Sequence, residues 1–297
     1  MKKVISKIIH AIMPKSLLLF LVPEKNRNKD YFNRFIDVED EITCKTFQLY
    51  FRKDSFMEAV ILRHGLYGKW EKESLKIWAQ LAKKSSVIFD IGANTGIYSI
   101  LAQNNNEKAS VIAIEPISEN FEVLTQNIIQ NKFNIHAEKV ALSDKAGVAK
   151  MFMLKDRLNY MTSVNDNRYA SHPEVIGNAE VVEIEVPIQP FSYVYEKYKL
   201  EKIDLIKIDV EGHEITVLNG MMPYIEKHKP AILIEVIGDE NAVVLTTMFK
   251  KLNYTFISID EQNLSKQVDK LWDNNHHNFL ICDVETVQLL RNKLLVE

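Results

Sequence analysis

A chain of 297 residues, 46% hydrophobic and 26% charged, has room for one large domain or for a domain with an appendage. A net charge of -3 leaves no basic footprint, which sets nucleic acid aside as a partner. Cys44 and Cys282 stand far apart; they exclude a disulfide framework and a paired metal motif, and read as small buried hydrophobes in a reducing cytoplasm.

Lys2, Lys3 and Lys7 precede an apolar run at residues 16–22, with Pro14 just before it. The run is too short to cross a bilayer, which takes about 20 apolar residues, and no small-residue cleavage site follows it. What remains is a basic amphipathic arm with Ile5, Ile8, Ile9 and Ile12 on one side. It is expected to dock on protein, with weak contact of residues 1–22 to an anionic membrane face as the alternative. The expected location is cytoplasmic, at most peripheral to the inner membrane face. Residues 26–84 read as a mainly helical cap, including a turn at residues 62–73 that leads into a helix ending near Lys84. No flexible linker divides this part from Ser85, so the domains are drawn as 1–84 and 85–297.

From Ser85 the pattern alternates. SSVIFDIGANTGIYSIL gives a buried strand over 86–91, a glycine turn and a helix over 96–104. A strand at 110–115 ends at Pro116, a helix begins at Ser118, and a third strand covers 135–142. Two segments then alternate like antiparallel strands, 148–154 and 181–188, within a hairpin insertion at about 145–190 whose polar tip is 155–180. The tip is expected to cover the acceptor. Strands at 203–209, 231–236, 254–259 and 278–282 follow, with helices at 214–219 and 239–251. The pattern predicts an α/β fold with a doubly wound parallel sheet.

In such a sheet ligands sit at the carboxyl ends of the strands, where the Gly92 turn lies. Glu115, at the end of the next strand, suits ribose hydroxyls, so turn and acid together indicate adenosine. Asn94 stands where a pyrophosphate-binding turn needs its middle glycine, which favours S-adenosylmethionine over NAD. Asp90, inside an otherwise apolar strand, could fix the loop's amides or, through water, the donor's ammonium. At the end of the 203–209 strand, Asp209 and His213 are the expected acceptor-orienting acid and base, with Glu211 and Glu235 next in line. Asp209, Glu211 and His213 could also hold a divalent ion, but match no strong metal signature, and no metal is expected. An NAD-dependent oxidoreductase and a non-catalytic S-adenosylmethionine-binding protein are the rival readings.

FDIGANTG at 89–96, AIEP at 113–116 with Asn120 after it, VALSD at 140–144, DLIKIDVEGHE at 204–214 and ILIEV at 232–236 resemble the FkbM family of S-adenosylmethionine-dependent methyltransferases. The resemblance runs from about Gly68 to Cys282. It implies a class I methyltransferase (Rossmann-like) fold, a seven-stranded sheet with an antiparallel last strand, and O-methyl transfer to a hydroxyl of a sugar, polysaccharide precursor or secondary metabolite. It also implies a donor site made of Asp90, Gly92, Ala93, Asn94, Gly96, Glu115, Pro116, Asn120 and Ala141. One departure stands out: Pro190, Phe191 and Ser192 replace the family's usual Leu-Asp after the hairpin. Tyr67, Trp70, Tyr160 and Trp272, in segments expected to flank the mouth, favour a carbohydrate or other small-molecule acceptor.

Overall fold

The computed structural model describes residues 32–52, 55–154, 181–263, 265–273 and 278–291. The chain opens with β1 (Arg34–Asp40), β2 (Lys45–Phe51), α1 (Phe56–His64) and α2 (Lys72–Ala82). The alternating units are β3 (Val87–Ile91), α3 (Ile97–Asn105), β4 (Ser110–Ile114), α4 (Ser118–Asn131) and β5 (Ile135–Glu138). The insertion follows as β6 (Ala141–Ser143), β7 (Gly147–Leu154) and β8 (Val181–Pro190). After it come α5 (Phe191–Lys197), β9 (Leu205–Ile208), α6 (Glu214–His228), β10 (Ala231–Glu235) and α7 (Asp239–Lys250). The chain closes with β11 (Thr255–Ser258), β12 (Lys266–Val268), β13 (Asn278–Cys282) and α8 (Val284–Arg291).

The main sheet has the order β12-β11-β13-β10-β9-β3-β4-β5. From β10 to β5 all neighbours are parallel, and β13 runs antiparallel to both β10 and β11. This is the class I methyltransferase sheet, with β12 added as a short edge strand. The chain leaves β3 toward β4 and β5, then returns to lay β9 on the other side of β3. The topological switch point therefore lies between β3 and β9, and the crevice opens at their carboxyl ends.

Alternation along the central strands divides the core in two. Ile88, Leu205, Leu233 and Leu280 face α2, α3 and the cap, whereas Phe89, Ile206, Ile208 and Ile232 face α5, α6 and α7. Phe191 is fully buried at the start of α5, its ring 5.0 Å from those of Phe89 and Tyr224, so the departure from the family pattern is absorbed by aromatic packing. Helix α6 runs well past the expected end at 219 despite Pro223, because Met221 and Ile225 on either side of the proline are both fully buried.

The cap has two helices, preceded by a strand ribbon in a segment whose sequence predicts helix. β1 and β2 pair antiparallel from Arg34↔Phe51 to Asp40↔Lys45, turning Ile36, Val38, Phe47, Leu49 and Phe51 inward. At its corner the buried Asp40 accepts hydrogen bonds from the Ile42 amide (3.0 Å), Thr43 Oγ1 (2.8 Å), Tyr67 OH (2.8 Å), Asn104 Nδ2 (2.9 Å) and Asn105 Nδ2 (2.8 Å). The last two donors belong to α3, so one carboxylate ties the cap to the alternating domain. Asp40→Ala should cost about 3 kcal/mol or more, since it orphans several buried donors at once. A melting-temperature drop of about 5–10 °C in calorimetry is expected; an unchanged melt would show that water replaces the carboxylate.

The expected third strand is two strands. The chain bends at Lys139 and Val140, and β6 leaves the main sheet to pair in parallel with β8 (Ala141↔Ile188) in a separate sheet of order β6-β8-β7. The arm at 1–22 and the hairpin tip at 155–180, with Tyr160, lie outside the described residues. Among the described residues no helix is long and apolar enough to cross a membrane.

Candidate active site

The turn after β3 is built from hydrogen bonds to its own neighbours. The amides of Gly92 and Ala93 both donate to Ile114 O at 2.9 Å, and the Asn94 amide donates to Glu115 Oε2 at 2.8 Å. Gly92 has φ +80°, and a Cβ there would lie 1.8 Å from the backbone oxygen of Asp209; only glycine lets β3 and β9 approach so closely. At Gly96 (φ +89°) a Cβ would meet Leu124 Cδ1 at 2.4 Å. Thr95 Oγ1 donates to the buried Glu58 of α1 (2.7 Å), and Thr95 O accepts from Asn127 Nδ2 of α4 (2.8 Å). Cap and core thus hold the turn from both sides.

Glu115 clamps the other wall. Its Oε1 accepts from the Ile117 amide (2.9 Å) while its Oε2 takes that of Asn94, and the side chain is 4% exposed. Burial pushes its carboxyl up to about 7, against the opposing pull of the hydrogen bonds from Ile117, Asn94 and Asn120.

A cleft with roughly 840 Å³ of empty space, open solvent at its mouth included, runs along these carboxyl ends. Gly92, Asn94, Glu115, Pro116, Asn120, Ala141, Asp209, Glu211 and His213 line it, so nine of the residues singled out in the sequence meet in one cavity. Asp90, Ala93, Gly96 and Glu235 are not in its lining. Ala93 and Gly96 shape the turn from beneath. Asp90 does not fix the loop's amides, which go to Ile114 and Glu115; it accepts from Ser99 Oγ at 2.6 Å inside the core.

The strands of the hairpin, and not only its tip, belong to the cleft, where they form one wall. Ala149 and Met151 of β7 and Ile188 of β8 face the cleft, and Met151, Met153 and Val186 pack on Ile117. The period-2 alternation of β7 was the available signal; it marked a buried face without saying what that face covered. Of the aromatic residues expected at the mouth, Tyr67, Trp70 and Trp272 are absent from the cleft lining, and Tyr160 lies outside the described residues. Tyr67 is bonded to Asp40, Trp70 lies against Tyr98 (centroids 6.2 Å apart) and Trp272 against Phe279 (5.2 Å).

At the reacting end, Asp209, Glu211 and Glu235 bring carboxylate oxygens within 4.8 Å of one another. The grouping therefore includes Glu235, and His213 turns toward Ser143 instead, with Nε2 3.4 Å from its Oγ. Glu211 sits in the left-handed region (φ 55°), as residues at functional turns often do. Glu214 holds the turn, its Oε1 accepting from the amides of Val210 (3.3 Å) and Gly212 (3.0 Å). Burial lowers the His213 pKa, with Asp144 opposing, so the ring is neutral at pH 7.

The sequence reading also missed a buried cation. Lys207, 5% exposed, shares a strand face with Asp209 and stands beside Asp90 in register. Its Nζ lies 2.8 Å from Asp209 Oδ2 and 4.6 Å from the centre of the Tyr98 ring, and Tyr98 OH donates to Glu71 Oε2 at 2.6 Å. Burial pulls the lysine pKa down, but Asp209, Asp90 and Glu71 outweigh it and hold the ammonium charged. A lysine between isoleucines in DLIKID was the signal, since a buried charge needs a partner.

A model of the methyltransferase FkbM domain matches residues 90–262, more than half of the chain. Methyltransferase sdnD of Sordaria araneosa is 27% identical over 154 residues, covering 45% of this chain and 60% of that protein. The hexuronic acid methyltransferase AglP of Haloferax volcanii is 23% identical over 211 residues, covering 71% of this chain and 76% of that one. The 31-O-demethyl-FK506 methyltransferase FkbM of Streptomyces tacrolimicus is 25% identical over 195 residues, covering 57% and 66%.

Proposed function

The chain belongs to the FkbM family of methyltransferases, and on that premise we propose that it transfers a methyl group from S-adenosylmethionine to a hydroxyl of a sugar, polysaccharide precursor or secondary metabolite. The observation that carries the donor is the hydrogen bonding of the glycine turn. Three successive amides, those of Gly92, Ala93 and Asn94, are committed to Ile114 and Glu115. A pyrophosphate needs such amides, whereas S-adenosylmethionine has no pyrophosphate, so NAD is disfavoured.

The residues present fit the donor. Asn120 is 5% exposed, lines the cleft and, among the described residues, gives its Oδ1 no hydrogen-bond donor; Asn94 Oδ1 is in the same position. Both are acceptors awaiting hydroxyl or amino donors of a ligand. Glu115, Asn120 and Asn94 would hold the ribose, and the apolar hairpin wall with Ile117 would take the base. The donor supplies a methyl group already activated on a sulfonium. The protein's task is then to place an acceptor oxygen in line, exclude water and accept a proton. Asp209 and His213 stand at the cleft for that work. The names of the FkbM and AglP relatives support an oxygen or sugar acceptor.

Calorimetry with S-adenosylmethionine and with NAD tests the donor, and tritiated methyl transfer into a panel of methyl glycosides separates an enzyme from a mere binder. NAD binding in preference to S-adenosylmethionine would overturn the reading. Glu115 gives the binding a pH signature. Its folded pKa lies above the ordinary 4.5, so its contribution to stability is full below that value and is lost as pH rises through about 7. The cationic donor favours the ionised form, so affinity should tighten about tenfold between about pH 6 and 8. Glu115→Gln should weaken binding roughly tenfold to a hundredfold and remove this slope, leaving only the donor's own amino titration. A slope unchanged in the variant would assign it to another group.

A further inference from the structure

Three carboxylates meet at the carboxyl ends of β9 and β10. Asp209, Glu211 and Glu235 form a cluster of hard oxygen donors of the type that takes Mg²⁺, Ca²⁺ or Mn²⁺. Yet the chain already brings a cation to it. Lys207 Nζ is 2.8 Å from Asp209 Oδ2, and the ring of Tyr98 closes over the ammonium at 4.6 Å. Tyr98 is held in turn by its hydrogen bond to Glu71 of the cap (2.6 Å), and Asp90 flanks Lys207 on the next strand. The Asp209 main chain is equally fixed: its amide donates to Ile91 O (3.0 Å), and its carbonyl lies where Gly92 has no side chain. A lysine taken out of water and aimed at one carboxylate neutralises that carboxylate from behind, leaving its cleft side open to an acceptor hydroxyl.

Resting on the reading of this cleft as the methyl-transfer site, we propose that Lys207 is a positioning residue that takes the place of a divalent ion: its ammonium holds Asp209 toward the acceptor and keeps the carboxylate cluster free of metal. Removing the ammonium should therefore create a metal site, an effect that a purely structural lysine would not have.

Mn²⁺ is the probe, followed by its paramagnetic resonance signal on the whole chain after chelator treatment. The wild type should bind no Mn²⁺ with a Kd below about 1 mM. Lys207→Met should bind it at least about tenfold tighter, and adding Asp209→Asn should reverse the gain. Lys207→Arg, which keeps the charge, should behave like the wild type. Equal weak binding by wild type and a folded Lys207→Met would overturn the proposal. Tight binding by the wild type that is lost in Asp209→Asn would overturn it even if Lys207→Met failed to fold. S-adenosylmethionine affinity is measured on the same proteins. Its absence in the wild type would count against the methyl-transfer reading, while the Mn²⁺ comparison, which needs no donor, would still decide the role of Lys207.

Discussion

Gly92→Ala should weaken donor binding strongly and lower stability by about 3 kcal/mol or more. Two costs add. An L-residue at φ +80° pays about 1–2 kcal/mol for the left-handed backbone. The new methyl would also lie 1.8 Å from the Asp209 carbonyl oxygen and 2.8 Å from its carbon, and overpacking of that kind costs about 1–3 kcal/mol. The obstacle is backbone inside a sheet, so it cannot swing aside like a side chain. Relief comes only by parting β3 from β9, which opens the crevice between Glu115 and Asp209. Donor affinity should fall at least about a hundredfold. Gly212→Ala is the matched control: φ there is +101°, but nothing lies within 4 Å of the added carbon, so only the backbone cost applies. Similar melting temperatures and donor affinities for the two variants would show that the strands yield without loss.

The frame of this fold was legible because each strand–turn–helix unit is written locally: an apolar run, a glycine or proline stop, then helical spacing. Gly92, Glu115 and Asp209 follow from that frame because they sit at strand ends, whereas Pro116, Asn120 and Ala141 are legible only through the resemblance to the family. What escaped depends on distant partners. Asp40 in RFIDVED reads as one more acid in a charged segment until Asn104 and Asn105 meet it from α3. Glu261 reads as a loop carboxylate, yet it caps α2 by accepting from the amides of Glu73 (2.7 Å) and Ser74 (3.1 Å), far away in sequence. Lys207 escaped because the groups that surround it, Tyr98 and Glu71, come from another helix and from the cap. The Asp209–His213 pair was inferred from spacing alone. The turn at Glu211 and Gly212 sends the two side chains apart, one to Lys207 and the other to Ser143.

That separation sharpens what His213 should do. Ser143 has one hydroxyl proton, and its Oγ donates to Asp144 Oδ1 at 3.2 Å, so toward the imidazole it acts as acceptor. In that arrangement the neutral ring carries its proton on Nε2, an assigned tautomer, and Nδ1 would be the basic nitrogen. Burial lowers the ring's pKa from 6.5, so this base is ready across the neutral range. His213→Ala should lower kcat by about 10² to 10⁴-fold, the usual contribution of a general base, with donor affinity unchanged. The wild-type kcat at saturating donor should be flat at neutral pH and fall only in acid below the ordinary imidazole value, because burial lowers the ring's pKa and protonation removes the base. Ser143→Ala frees the tautomer without removing the ring, and a loss of about tenfold is expected. On the proposed role of Asp209 in orienting the acceptor, Asp209→Asn should act differently, raising the acceptor KM as well as lowering kcat. Should His213→Ala keep both its rate and the acid limb of its pH profile, the base is Glu211 on the same turn, and the imidazole serves only to hold Ser143 and Asp144 against the start of α6.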